Sequence, residues 1–471
     1  MKIFNFSLKN MKLYFLALFS FFLSFYLSGQ ADPVKALKQQ ARESSRFLDA
    51  IDNPLPGLQS ALGQDYPYLD ALYKYLHTHP ELSFFEVETA KRMAAELRQL
   101  GFEVTERVGG NGVVGVLKNG EGPTILVRTD MDALPVVEET GKPYASKVTT
   151  VDEQGNTVGV MHACGHDVHM TVWTGAARRL AAMKDQWNGT LVFIGQPAEE
   201  RSGGANAMLA DGLYERFPRP DYALALHASA SLPAGKVGVC PAYSLANVDM
   251  MDITVYGEGG HGAYPHTTKD PIVLASRIVL ALQTIVSREI SPLEPAVVTV
   301  GSIHGGTKGN IIPNEVKLEL TMRSYSDEVR RAIIEKIERI CRGEALAAGL
   351  PEDKYPKLLL REEYTPSVYN DPALTTRLRQ AFAHALGEER VETVPPVMAG
   401  EDFARYGRTE PGLPICIFWL GAVDPELYEA SLRGEASLPS LHNSKFAPFP
   451  EPTIKTGVTA MTAAVLDLLA K

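Results

Sequence analysis

Three short apolar runs, each ending on side chains that can hold a cation or carry a proton, constrain this chain more than any other feature. Thr124-Ile125-Leu126-Val127-Arg128 runs into Asp130, Asp132 and Pro135. Thr190-Leu191-Val192-Phe193-Ile194 runs into Gln196-Pro197-Ala198-Glu199-Glu200, and Tyr222-Ala223-Leu224-Ala225-Leu226 ends at His227. A helix is predicted between the first two, over Thr171 to Met183. Continuous apolar strands alternating with helices belong to a largely parallel sheet covered on both faces, an α/β architecture. Ligands of such sheets bind beyond the carboxyl ends of the strands. One polar strand end would mean little, whereas three in one sheet converge on a site.

The stretch Met161-His162-Ala163-Cys164-Gly165-His166-Asp167-Val168-His169-Met170 lies between the first two strands. Imidazole and thiolate are the donors that borderline-soft divalent metals prefer, and carboxylate joins them. Gly165 allows a tight turn that lets Cys164 and His166 face one point. A metal site is therefore expected here rather than a polar loop. In the tandem pair Glu199-Glu200, one carboxylate would bind metal while its neighbour moves a proton between a water and the leaving group. The ordinary alternative is a solvated loop. Two metals a few ångströms apart need a bridging ligand, and the Cys164 thiolate can serve. His77 and His79 precede Pro80, which stops a helix; capping the helix end is their expected role, with metal binding the lesser alternative.

After about residue 245 the pattern changes. Asp249–Tyr256, Ala296–Ile303, Glu315–Tyr325 and Lys357–Glu363 read as strands, and Pro271–Arg288 and Asp327–Ala348 as amphipathic helices. The order βαββαβ is that of a ferredoxin-like sandwich with its own core. It is inserted over 246–360, because the helix Asp371–Leu386, the strand Ile415–Leu420 and a C-terminal helix from Thr453 to Leu469 resume the first type. The catalytic part is thus expected over 31–245 and 361–471, with His442 returning to the site. Within the insert, Gly257-Glu258-Gly259-Gly260-His261-Gly262-Ala263 lacks the Lys-Ser/Thr of a phosphate loop. His261, Asn310 and Arg323 could bind a carbonyl oxygen and a carboxylate. From spacing alone they are equally turn and surface groups. Val148–Val160 reads as a surface hairpin ahead of the metal loop.

Residues 1–30 read as a targeting segment. Lys2, Lys9 and Lys12 precede an apolar run from Leu13 to Leu27 and then Ser28-Gly29-Gln30-Ala31, the order of a secretory signal peptide. The run is short for a membrane span, and no cysteine follows it for lipid attachment. A secreted or periplasmic protein without stable membrane insertion is expected, an uncleaved anchor being the alternative. The 471 residues suggest two domains. A net charge of −10 argues against a nucleic-acid partner. Cys164, Cys240, Cys341 and Cys416 stand too far apart for a disulfide framework.

Together, His162-Ala163-Cys164-Gly165-His166-Asp167, Arg128-Thr129-Asp130-Met131-Asp132-Ala133-Leu134-Pro135, Gln196-Pro197-Ala198-Glu199-Glu200, Gly259-Gly260-His261 and Leu441-His442-Asn443 resemble peptidase family M20. The likeness is to its amidohydrolase branch of N-acyl-amino-acid, hippurate and indole-acetyl-amino-acid hydrolases. It extends from about Tyr68 to the C-terminus, and His77, Pro80-Glu81-Leu82 and Glu86 match the opening motif. The resemblance implies two divalent metal ions, with zinc, manganese, cobalt and nickel all chemically allowed. Cys164 would bridge them, with His166, Glu200, His227 and His442 completing the ligands. Glu199 would be general base and acid. His261 would polarise the scissile carbonyl, from the same chain or from the other subunit of a homodimer, and Asn310 and Arg323 would hold the substrate carboxylate. The insert would serve as lid and dimerisation domain. The role of Gly400-Glu401-Asp402-Phe403 stays open.

The chain departs from the wider family in having Asp130-Met131-Asp132 where many relatives have His-x-Asp. Asp130 is therefore not expected to be a ligand, its place being taken by His166. The implied activity is hydrolysis of the amide bond of N-acyl amino acids or small peptides. Within enzymes the nearest alternatives are a di- or tripeptidase and a carboxypeptidase. Outside them stand a non-catalytic solute-binding protein and a metal-sequestering one, against which an intact ligand set with a free general base argues.

Overall fold

The computed structural model describes residues 55–152, 155–361 and 364–470. Residues 1–30, read as a targeting segment, and residues 31–54 lie outside the described residues. Gly57–Lys471 form one compact unit.

Its centre is an eight-stranded sheet in the order Glu103–Val108, Gly112–Asn119, Gly189–Gln196, Thr124–Asp130, Tyr222–Pro233, Ile415–Val423, Val237–Val239, Val391–Thr393. The four middle strands are mutually parallel. Antiparallel pairings join Glu103–Val108 to Gly112–Asn119, that strand to the parallel block, and Val237–Val239 to Ile415–Val423. The sheet is thus α/β and parallel where it matters, with antiparallel rims. Thr124–Asp130 and Ile415–Val423 are almost wholly buried because both sheet faces are covered, which is why they read as unbroken apolar runs. The helix His166–Ala182 lies on one face, pressed against the C-terminal helix Pro450–Leu469. Small residues permit the approach: a Cβ at Gly175 would collide with Val458. Trp173 fills the space beneath that helix, its indole N–H donating to the Val127 carbonyl at 3.1 Å. Truncating so large a buried aromatic costs about 3–5 kcal/mol.

Between the strands Tyr222–Pro233 and Ile415–Val423, the chain leaves to build a second layer. Four antiparallel strands stand in the order Ala296–Gly305, Glu315–Ser324, Asn247–Tyr256, Lys357–Leu360. With the helices Pro271–Thr284 and Asp327–Ala347 this is the βαββαβ order of a ferredoxin-like sandwich. Alternating burial along Glu315–Ser324 gives one face to the helices, and the core between them is largely aliphatic. Asp270 caps the first helix through Ile272 N and Ser326 the second through Val329 N. The first helix ends at Thr284 and continues as a π turn, Ile285–Glu289. The last strand stops at Leu360; Glu362 and Glu363 lie outside the described residues. Both passages between the layers run side by side, since Ala242–Leu245 pairs with Val368–Asn370. Thr149–Val151 and Thr157–Gly159 pair antiparallel as a hairpin.

One sequence expectation is corrected here. His79 does cap the helix Leu55–Thr78, its Nδ1 bonded to the Tyr75 carbonyl at 2.8 Å. His77 does not. It is fully buried, with Nδ1 2.6 Å from Asp167 Oδ2 and Nε2 3.1 Å from Glu138 Oε1. A helix-end imidazole turned inward meets two carboxylates that the sequence keeps far away.

Candidate metal centre

Gly165 stands at φ +84° immediately before the helix that begins with His166, and a Cβ there would press on Ala228. This turn sets the Cys164 thiol and the His166 ring on the same side of the chain. His166 donates from Nδ1 to the Asp132 carbonyl at 2.8 Å, leaving Nε2 buried with no hydrogen-bond partner. His227 similarly donates from Nδ1 to the Ala228 carbonyl at 2.8 Å, and its Nε2 lies 3.5 Å from Cys164 Sγ. Fixing the outer nitrogen on a carbonyl selects the tautomer whose inner nitrogen carries a lone pair. His442 arrives from the C-terminal segment at φ +65°, tied by its backbone N–H to the Ala163 carbonyl. Its Nε2 is 3.3 Å from Cys164 Sγ and 3.4 Å from Glu200 Oε2. Glu200 Oε1 is buried without a hydrogen-bond partner and 3.9 Å from His166 Nε2.

Two donor groups overlap on the thiol: Cys164, His166 and His227 in one, Cys164, Glu200 and His442 in the other. Within each, the donor atoms lie within 4.8 Å of one another. Sulfur, imidazole nitrogen and carboxylate oxygen at this spacing suit borderline divalent metals. The unpartnered His166 Nε2 and Glu200 Oε1 are further marks of a cation site. The protein's own charges ask for one too. Burial pushes the Cys164 thiol well up, with Glu200 and Glu199 adding to it, and burial with Asp132 raises Glu200 to about 7. A cation there reverses both effects.

Glu199 adjoins this cluster, its Oε2 4.0 Å from His166 Nε2. Its carboxyl is held well above the ordinary range, by burial first and then by Glu401, Glu200 and Asp402, while Arg128 pulls the other way. Glu401 and Asp402 thereby acquire a place. Arg128 Nη2 donates to Glu401 at 2.9 Å and Asp402 at 3.2 Å, and Gln196 Nε2 donates to Asp402 at 2.7 Å. Asp130 is occupied elsewhere: one oxygen accepts from His169 Nδ1 at 2.7 Å and the other from Arg128 Nη1 at 2.6 Å. His169 in turn accepts the Ala228 N–H on Nε2 at 2.7 Å, so it too is spent on structure. His162 is buried with neither ring nitrogen bonded.

Cys164, Glu199, Glu200, His227 and His442 floor a cleft of about 690 Å³ between the two layers. Leu134, Leu245, Val248, Met398 and Trp419 give it apolar walls, and Arg323 of the insert reaches it. Arg323 Nη1 donates to the Met398 carbonyl at 3.1 Å, and among the described residues no carboxylate lies within 4.0 Å of its side chain. His261 and Asn310 are not among the residues lining the cleft. They sit beside each other on the insert, where the Gly260–His261 and Ile311–Ile312 strands pair and Gly262 N donates to the Asn310 carbonyl. Both side chains are exposed. Sequence alone left the role of Glu401 and Asp402 open and did not join Arg128 to them. A lone arginine inside an apolar strand was the available signal, since a buried guanidinium requires buried carboxylates.

Comparison with known proteins agrees with this geometry. Residues 126–467 match the model of peptidase family M20/M25/M40. The chain is 40% identical over 336 residues to a hippurate hydrolase of Campylobacter jejuni, covering 70% of this chain and 82% of that one. It is 36% identical over 351 residues to thermostable carboxypeptidase 1 of Saccharolobus solfataricus, covering 74% and 84%. Among solved structures, a dinuclear metal-binding M20 peptidase of Bacillus subtilis superposes with a TM-score of 0.69 at 30% identity, covering 86% of this chain and 99% of that one.

Proposed function

The chain belongs to peptidase family M20/M25/M40 and is a metal-dependent amidohydrolase or peptidase; from that premise we propose that it hydrolyses the amide bond of N-acyl amino acids or small peptides with two divalent cations. The observation that carries the reading is one thiol within 3.5 Å of two imidazoles from distant segments, with a buried, unspent carboxylate beside them. Cys164 would bridge the cations, His166 and His227 holding one, Glu200 and His442 the other. When bound, such a pair lowers the pKa of a nucleophilic water and polarises the carbonyl it attacks.

The remaining steps belong to the chain's own side chains. Glu199, high in pKa before the cations bind, takes the proton of the attacking water on a carboxylate oxygen and delivers it to the departing amide nitrogen. Arg323, with no carboxylate partner among the described residues, pairs with the free carboxylate of the substrate. Apolar walls exclude water and receive the acyl group or side chain. His261, with its Nδ1 accepting the Ala263 N–H and its Nε2 therefore free to donate, would polarise the carbonyl from a second copy of the chain in a homodimer, Asn310 beside it assisting at the carboxylate. Export to the periplasm or medium rests on the first thirty residues. Cell fractionation with N-terminal sequencing tests it, and an intact N-terminus in the cytoplasm would overturn it.

The decisive experiment is a panel of N-acyl amino acids, dipeptides and hippurate, run on chelator-stripped protein with zinc, manganese, cobalt or nickel returned singly. Turnover that appears only with metal, and is greatest on an N-acyl amino acid, supports the proposal. Preference for longer peptides shortened from the carboxyl end favours the carboxypeptidase reading, the activity named for the Saccharolobus relative.

A further inference from the structure

We infer that Glu86 is a positioning residue of this site, fixing from outside the metal cluster the backbone that carries Glu199 and Glu200. The inference rests on the assignment of Glu199 as proton carrier. Glu86 immediately precedes the helix Val87–Gln99 yet makes no side-chain cap to it. That task falls to Glu81, whose carboxylate accepts from Glu88 N at 3.2 Å and Thr89 N at 2.8 Å. The Glu86 carboxylate is fully buried and turned the other way. One oxygen accepts the N–H groups of Phe84 and Ala198, each at 2.8 Å, and the other accepts from Asn111 Nδ2 at 3.2 Å.

Ala198 is the residue before the two site carboxylates, and its φ of +47° is left-handed. Ser202, just after them, stands at +51°. Left-handed backbone is unfavourable for a residue with a Cβ, so the bend that presents Glu199 must be held. The Ala198 carbonyl closes it by accepting from Gly203 N and Gly204 N, and Glu86 holds the Ala198 N–H. On the far side of Glu199, Asp132 Oδ2 accepts the Glu200 N–H at 3.0 Å and the Ser83 hydroxyl at 2.6 Å. The segment Ser83–Glu86 thus reaches the bend at two points, directly through Glu86 and through Asp132. Asp132 also touches His166, so changing it disturbs a proposed ligand. Glu86 forms hydrogen bonds with none of the five, and its effect can be read separately. A proton carrier must be held within about 0.5 Å of its productive place, and a released Ala198 peptide would swing Glu199 away.

Three variants on the best substrate of the panel test this, with metal per chain and hydrogen exchange across residues 196–203 measured alongside. Glu86→Leu keeps the volume and removes the acceptor. It should lower kcat about 10–100-fold, as misplacement of a catalytic group does, with KM within about threefold, metal content unchanged and exchange across 196–203 faster. Glu86→Gln keeps an oxygen facing both N–H groups and should stay within about threefold of wild-type kcat. Adding Ala198→Gly to Glu86→Leu removes the left-handed cost and should recover several-fold of the lost kcat. Unchanged kcat in Glu86→Leu, or an equal loss in Glu86→Gln, overturns the inference. So does a loss that Ala198→Gly leaves untouched. Should Glu86→Leu fail to fold, wild-type protein still answers: an Ala198 amide that exchanges as freely as an open loop overturns the anchor. A wild type inactive on the whole panel would instead defeat the functional proposal, with the exchange measurement still testing Glu86.

Discussion

The floor of the cleft and the insert above it differ in how complete their chemistry is within one chain. On the floor, Cys164, His166, Glu200, His227 and His442 are drawn together from four segments, and the outer nitrogens of His166 and His227 are fixed by carbonyls. On the insert, Arg323 is the one charged side chain that reaches the cleft, beside Val248 and Met250, while His261 and Asn310 stand exposed where two short strands pair. A group that must present a lone pair or move a proton has to be immobilised in advance, and buried sheet ends do that. A group that recognises substrate can arrive with a moving layer or with another subunit. On the proposed reading the floor holds the cations and moves the proton, the insert brings the groups that meet the substrate, and each prediction below tests one side of that division.

The largest effect belongs to the floor. Glu199→Gln should keep metal content at the wild-type value and lower kcat by about 10²–10⁴-fold, the worth of a proton-transfer group. Metal analysis beside steady-state kinetics checks it. A variant keeping more than about a tenth of the wild-type rate would remove Glu199 from the mechanism.

Next comes the insert's missing half. His261→Ala should lower kcat about 10²–10³-fold, as loss of an oxyanion donor does. If His261 serves the site of a second copy, mixing inactive Glu199→Gln and His261→Ala proteins under subunit exchange restores up to about a quarter of wild-type activity, since half the dimers are mixed and each has one whole site. No recovery despite proven exchange would place His261 at its own chain's site or at none. Arg323→Met should act more gently and differently, raising KM about 10–100-fold for substrates with a free carboxylate, as expected when a charge-assisted bond is lost. The matching amide substrates should barely distinguish the variant from wild type. Equal effects on both would assign Arg323 to structure.

What the sequence disclosed follows the same division. Strand type was visible because burial on two faces leaves unbroken apolar runs at Thr124–Asp130 and Ile415–Val423, and burial on one face leaves alternation at Glu315–Ser324. The donors were visible because Cys164, Gly165 and His166 adjoin one another and Glu199-Glu200 closes a strand. Invisible were the pairings that hold these groups: Arg128 with Glu401 and Asp402, Glu86 with Ala198, His77 with Asp167. Each joins residues far apart in the chain, and a lone charge in sequence does not say whether water or a partner will satisfy it. His77 read as a cap because it lies just before Pro80, which stops the helix.

The smallest effect concerns stability and separates the two layers by pH. Under the metal loop, His77 lies between Asp167 and Glu138, and although burial works against its charge, those two carboxylates raise its pKa from 6.5 to about 10. A cationic group whose pKa rises on folding stabilises fully below its unfolded value, here about 6.5, and that contribution is lost as pH climbs through about 10. Among the described residues the insert holds no buried imidazole. Its aliphatic core holds Cys341, whose thiol burial pushes up to about 12. Alkali should therefore loosen the helix His166–Ala182 before the insert, seen as hydrogen exchange rising there first between pH 7 and 10 after correction for the intrinsic rate. In urea unfolding, the stability difference between wild type and His77→Gln should be widest near pH 6 and narrow toward pH 10. A difference independent of pH would mean that His77 contributes packing rather than charge, and a difference that widens with pH would reverse the assignment of its proton.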